Sequence, residues 1–183
     1  IYGDFRLRLE EDWDSLQGNG TKRDDRLRMR TRVRLGLKGQ FDEQWSANAR
    51  LRTGSDDSQQ SPHITIYDFD GNDNGNADVN FELWYLQYSG YGFTVWTGRN
   101  QLSFWRQDAM LITDDVTFLG IGGSYQHALG KGSVTWNLNL TNAPAGMTAT
   151  SGKLAFGQVA YDRNFERTAI TMAAGYMDIN ADP

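Results

Sequence analysis

Arginine stands at every second position from Arg26 to Arg34 in the run RLRMRTRVRLGLK, with Leu27, Met29, Thr31 and Val33 between and Leu35 and Leu37 continuing the apolar set. A row of guanidinium groups attracts anions by charge and holds them with paired N–H donors. At a helical period of 3.6 these side chains would be smeared around every face, whereas in a strand they line one face and leave an apolar one behind. The same alternation before and after the run extends the basic wall to Arg6, Arg8, Arg28, Arg30, Arg32, Arg34, Arg50 and Arg52. Burying each charge unpaired costs several kcal/mol, so the wall must be wet and its reverse must meet something oily. Strands lie about 4.8 Å apart, so the guanidinium groups crowd unless water, acids or an anionic solute intervene.

A second group of candidate ligands is Asp70-Gly71-Asn72-Asp73-Asn74-Gly75, which matches the first half of a calcium loop. Asp70, Asn72 and Asn74 would supply oxygens, Asn76 a carbonyl and Asp78 a further oxygen, with Ca2+ stiffening the loop at 70–78. Against this, the twelfth position is Phe81 where a bidentate Glu belongs, and Asp, Asn and Gly are common in any turn. His63 and His127 lack partners at ligand spacing and read as surface or interfacial residues. No nucleophile–base pattern, phosphate-cradling glycine loop or paired-carboxylate site is present, so the expectation is a non-enzyme with no required cofactor.

The elements that must carry these side chains are strands. Alternation marks them at 2–13, 26–40, 45–53, 78–89, 93–99, 117–126, 133–141, 153–162 and 167–178, with no convincing helix. At 78–89 the faces conflict: Glu82 turns Phe81 and Leu83 outward, yet Trp84, Leu86 and Tyr88 compete, which a bulge would explain. Connections alternate between short (41–44, 90–92, 127–132, 163–166) and long (14–25, 54–77, 100–116, 142–152). In an up-and-down meander this puts tight turns at one rim and long loops at the other, the asymmetry of outer-membrane barrels. Phe41, Trp45, Tyr88, Tyr91, Phe93, Tyr125, Tyr161 and Phe165 cluster near the tight turns, as an interfacial aromatic girdle would.

Composition agrees. The 183 residues suit one domain, and 18 basic against 23 acidic residues give no signal for nucleic acid. Only 39% of residues are hydrophobic, thin for one large soluble core. There is no cysteine and no apolar run long enough for a transmembrane helix, while a barrel strand shows lipid only at alternate residues. The chain begins inside a strand pattern, FRLRLE, without a signal peptide, and an odd strand count does not close a barrel. The expectation is an all-β, transmembrane antiparallel up-and-down β-barrel domain, represented by its N-terminal portion of about nine strands.

Taken in order, FRLRLEEDWD, RLRMRTRVRLGLKGQF, FELWYLQYSG, TGRNQLSFW and ITDDVTFLGIGGSYQH resemble the opening half of Gram-negative outer-membrane porins, nearest to the putative porin group. Alginate-export barrels are similar too, in their arginine-rich opening strands and a Gly-Arg pair after the fifth. The resemblance implies a barrel of about sixteen or eighteen strands, set in lipid and lipopolysaccharide of the bacterial outer membrane, with a homotrimer among the assemblies it allows. It implies passive diffusion of small hydrophilic solutes, anionic ones given the arginines, past an in-folded third long loop. By that resemblance 100–116 is the constriction loop, with Arg99 and Arg106 at its base and Asp108, Asp114 and Asp115 facing the arginine wall. Phe104, Trp105, Met110, Leu111 and Ile112 would pack it to the wall or offer a greasy surface to a sugar. The competing readings are an ordinary extracellular loop, a basic wall neutralised by loop carboxylates, a channel for acidic polysaccharide, and a soluble β-sandwich binding calcium or carbohydrate.

Overall fold

Side chains alternating with period two leave little choice but extended backbone, and the computed structural model, which describes residues 1–55, 62–71, 77–108, 112–144 and 152–181, is one antiparallel sheet of ten strands. They are β1 (Tyr2–Asp12), β2 (Arg26–Gln40), β3 (Trp45–Thr53), β4 (Ile64–Asp68), β5 (Val79–Gly90), β6 (Phe93–Asn100), β7 (Phe118–Leu129), β8 (Gly132–Asn142), β9 (Gly152–Asn164) and β10 (Ala169–Ala181). Nine of them form a meander in chain order, and β1 and β10 stand at opposite edges, so the sheet is not closed. Among the described residues no helix is long and apolar enough to cross a membrane, which says nothing of a β-barrel.

The strand absent from the sequence reading is β4. Pairing of β2 with β3 starts only at Arg34↔Arg52, which leaves the first half of β2 without a partner on that side. β4 covers part of that edge, from Arg28↔Asp68 to Thr31↔Ile64. Five residues inside a long polar connection are too few to announce themselves by alternation.

The two faces differ as the arginine run requires. Outward stand Phe5, 69% exposed, Leu37, 60%, and Leu138, 61%, together with Leu7, Leu9, Val33, Leu35, Phe81, Leu86, Ile121 and Leu140. The other face holds Arg52, Glu82 and Asn139, each exposed by 2% or less. Among the described residues no second layer covers the apolar side. The conflict in the fifth strand resolves as a bulge: the register with β3 shifts between Arg50 and Leu51, so that Glu82 is the extra residue. Glu82 and Leu83 both turn inward, and Phe81, Trp84 and Leu86 point out.

What the inner face buries is the long connection between β6 and β7. Leu102, Ile112 and Val116 of that loop pack with Phe118, Leu154 and Phe156 of the sheet, and Phe104 joins them. The apolar core thus lies between one loop and one wall. At the opposite rim, Tyr91 and Gly92 turn with φ of 54° and 82°, the doubly positive geometry of a two-residue hairpin. Rings meet outward near this rim, Trp45 with Tyr88 at 5.3 Å and Phe93 with Tyr125 at 4.4 Å.

Candidate functional site: the arginine wall and its in-folded loop

β1 and β2 pair without a register fault, so their even-numbered side chains share the inner face. Asp4 lies opposite Arg34, Arg6 opposite Arg32, Arg8 opposite Arg30, Glu10 opposite Arg28 and Asp12 opposite Arg26. The acids of β1 clamp the row at both ends. Asp12 takes Arg26 at 2.8 Å and Arg28 at 2.9 Å, while Glu10 pairs with Arg8, with Arg28 and, at 3.1 Å, with Arg30. Asp4 takes Arg32 at 2.7 Å and lies 3.8 Å from Arg34. Arg6 forms no ion pair among the described residues.

Further along the wall the bulge sets Glu82 between Arg34 and Arg50, at 2.5 and 2.6 Å. Its backbone oxygen accepts a hydrogen bond from the Thr117 hydroxyl at 2.7 Å, and that hydroxyl accepts one from Arg99 Nε at 2.9 Å. Arg99 reaches this inner network because Gly98 before it has φ of +117°, a conformation that lets the chain turn. A Cβ on Gly98 would also stand 2.4 Å from the Trp84 carbonyl oxygen. Arg52 is buried beside them and donates to the Ser55 carbonyl at 3.0 Å.

The loop is tied to the wall by side-chain amides acting as surrogate backbone. Asn139 on β8 accepts from Ser103 N at 2.8 Å and donates to Ser103 O at 2.9 Å. Gln158 on β9 does the same for Trp105, at 2.7 and 2.8 Å. Trp96 Nε1 donates to the Ser103 hydroxyl at 3.0 Å. Gly122 leaves room for this, since a Cβ there would lie 2.3 Å from Asn139 Oδ1.

Of the loop residues singled out in the sequence, Asp115 meets the wall, pairing with Arg34 and lying 3.8 Å from Arg32. Asp114 is instead turned into the loop, where it pairs with Arg106, and Arg106 also donates to the Ile112 carbonyl at 2.6 Å. Asp108 is exposed, and Met110 and Leu111 lie outside the described residues. Asp70 accepts from Leu27 N at 2.6 Å, and the Asp78 carbonyl accepts from Gly54 N at 3.0 Å. Asn72, Asn74 and Asn76 lie outside the described residues.

His63, just before β4, is half-buried against the wall. Its carbonyl accepts from Arg30 at 2.9 Å. Burial, then the fields of Arg8, Arg32, Arg30 and Arg6, push its imidazole down to about 4, so it is neutral at physiological pH. Sequence reasoning passed over Asp4, Glu10 and Asp12, although their even numbering on the arginine face was signal enough. The face conflict at 78–89 marks Glu82, but its pairing with Arg34 and Arg50 and the hold of Asn139 and Gln158 on the loop depend on distant partners that no local pattern gives.

A family model described as "Putative porin" matches residues 13–152. No curated protein and no solved structure matches the chain. The family match covers well over half of the 183 residues, and the antiparallel meander with its oily outer face is the architecture that such a match requires. The chain belongs to the putative porin family, which supports an outer-membrane β-barrel protein forming a porin-like channel.

Proposed function

We infer that this chain forms part of the wall of a water-filled channel in the outer membrane through which small hydrophilic, anionic solutes diffuse down their gradient. The observation that carries the reading is the pairing of unlike faces on one sheet. The outer face is apolar where Phe5, Val33, Leu35 and Leu37 stand exposed, and the inner face carries Arg28, Arg30, Arg32, Arg34, Arg50 and Arg52. Lipid and lipopolysaccharide are then the partners of the outer face, and the tight-turn rim with its aromatic pairs faces the periplasm. On the inner face the arginines outnumber the carboxylates that clamp them, which raises the local concentration of anions. The loop carrying Asp115 narrows the lumen from one side.

Planar-bilayer recording of the full-length protein in a potassium chloride gradient tests this. The expected reversal potential has the sign of chloride preference, and replacing Arg28, Arg30 and Arg32 by Gln moves it toward zero. A reversal potential of the potassium sign in the unmodified protein would exclude anion selectivity. The arginine row also suits a track for acidic polysaccharide, but Glu10, Asp12, Glu82 and Asp115 interrupt it with negative charge. Block of single-channel current by uronate oligomers, absent for a general pore, separates the two.

A further inference from the structure

Along most of the wall an acid is shared by two neighbouring arginines: Asp12 by Arg26 and Arg28, Glu82 by Arg34 and Arg50. One stretch is different. Arg6 and Arg32 face each other directly across the β1–β2 ladder, and so do Arg8 and Arg30 one inner-face step away. Like charges placed opposite one another destabilise a sheet. The four Cα atoms stand at the corners of a patch about 5 Å across the strands and about 7 Å along them. Among the described residues three carboxylates reach the patch, Glu10, Asp4 and, 3.8 Å from Arg32, Asp115, and each is shared with an arginine outside the patch, Arg28 or Arg34.

Donors are left over there. Arg6 makes no side-chain hydrogen bond or ion pair among the described residues, and Arg8 Nε is buried without an acceptor. Just before β4, His63 flanks the patch, and its Nε2 is also buried without a partner among the described residues. The His63 backbone is fixed by the Arg30 guanidinium, and the carbonyl of the preceding residue, Pro62, accepts from Thr53 at 3.1 Å. The imidazole thus lies within the fields of Arg8, Arg32, Arg30 and Arg6 on a held backbone.

We propose that Arg6, Arg8, Arg30 and Arg32, with His63 beside them, form a binding site for a phosphate-type dianion inside the channel. The assignment rests on the anion-channel reading above and names its solute class. A single planar carboxylate satisfies two guanidinium forks at best, whereas a tetrahedral phosphate has an oxygen for each of the four corners. A neutral imidazole tolerates the neighbouring arginines and can exchange one hydrogen bond with a monoprotonated phosphate. The patch lies on the long-loop side of Arg34 and Asp115, so a solute entering from outside meets it before the in-folded loop.

The test is chloride current through the full-length protein in planar bilayers at pH 7 with inorganic phosphate or glucuronate added, together with the His63 imidazole resonance in detergent micelles. Phosphate is expected to block chloride current at concentrations where glucuronate does not. Arg6→Gln is expected to raise the half-blocking concentration at least tenfold, and Arg6→Lys, which keeps the charge but loses the fork, to fall between. Phosphate is also expected to raise the pH at which His63 titrates, with His127 near the opposite rim as the unshifted control. Heat-modifiable migration of each variant checks that the barrel has folded. Chloride preference without phosphate block, equal block by glucuronate, or block unaffected by Arg6→Gln would overturn the site and leave the channel reading standing. Potassium preference would strike the channel reading instead, and the His63 resonance would still report directly whether phosphate binds.

Discussion

Glu82 is the most deeply buried acid in the ion pairs of the wall. It is 1% exposed, sits between Arg34 and Arg50, and its backbone carries the Thr117 hydroxyl that receives Arg99. Removing one partner of a buried charge cluster leaves the others uncompensated, at about 3–5 kcal/mol. Glu82→Gln, which keeps the shape and deletes the charge, is therefore expected to destabilise the folded barrel by about that amount, whereas Asp12→Asn at the exposed end of the row should change it by less than about 1 kcal/mol. Reversible urea unfolding from lipid vesicles measures both. Equal, small effects would mean that Glu82 is dispensable and that Asp115 alone compensates Arg34. The conflict of faces at 78–89 already marks Glu82 and a bulge in the sequence, but its partners Arg34 and Arg50 lie on other strands and are not legible there. The acids of β1 were not hidden, since Asp4, Glu10 and Asp12 fall on the arginine parity.

At the scale of elements, the in-folded loop is held by geometry that a sequence states only in part. The alternation of 133–141 already places Asn137 and Asn139 on the wet face. What it leaves out is that Asn139 and Gln158 would spend their amides on the backbone of Ser103 and Trp105, because the partners are 36 and 53 residues away. β4 is missed for a related reason: its pairing is fixed by the overhang of β2, a property of two other strands. Each amide makes two hydrogen bonds to the loop, worth about 1 kcal/mol apiece in net stability. The double replacement Asn139→Ala with Gln158→Ala should free the loop from the wall while leaving the strand ladders intact. The expected outcome is a noisier channel with higher mean single-channel conductance. Gly122→Val should act alike, by driving a side chain into Asn139 and Trp96. Unchanged conductance in both variants would show that the apolar cluster of Leu102, Ile112 and Val116 holds the loop without the amides.

The whole molecule is governed by which solvent each face meets, and that much is legible from the run at Arg26 alone. Period-two alternation of five arginines forces a wet face, and the exposed Val33, Leu35 and Leu37 behind them are what a lipid-facing surface looks like without its lipid. A protein with a buried core would respond to a charge at any of these positions according to local packing. A barrel wall responds according to depth: Arg or Lys on the lipid face costs about 2–4 kcal/mol at the midplane and about 0–1 kcal/mol near the interfaces. Leu35 lies well inside the apolar band, and Phe41 lies at the tight-turn rim beside Trp45, whose ring meets Tyr88 at 5.3 Å. Leu35→Arg should therefore lower folding stability in lipid vesicles several times more than Phe41→Arg, although both side chains are more than half exposed, at 56% and 69%. Neither substitution creates a cavity, so packing gives no reason for the difference. Equal effects at the two positions would remove the membrane from the account and require another polypeptide layer over Leu35.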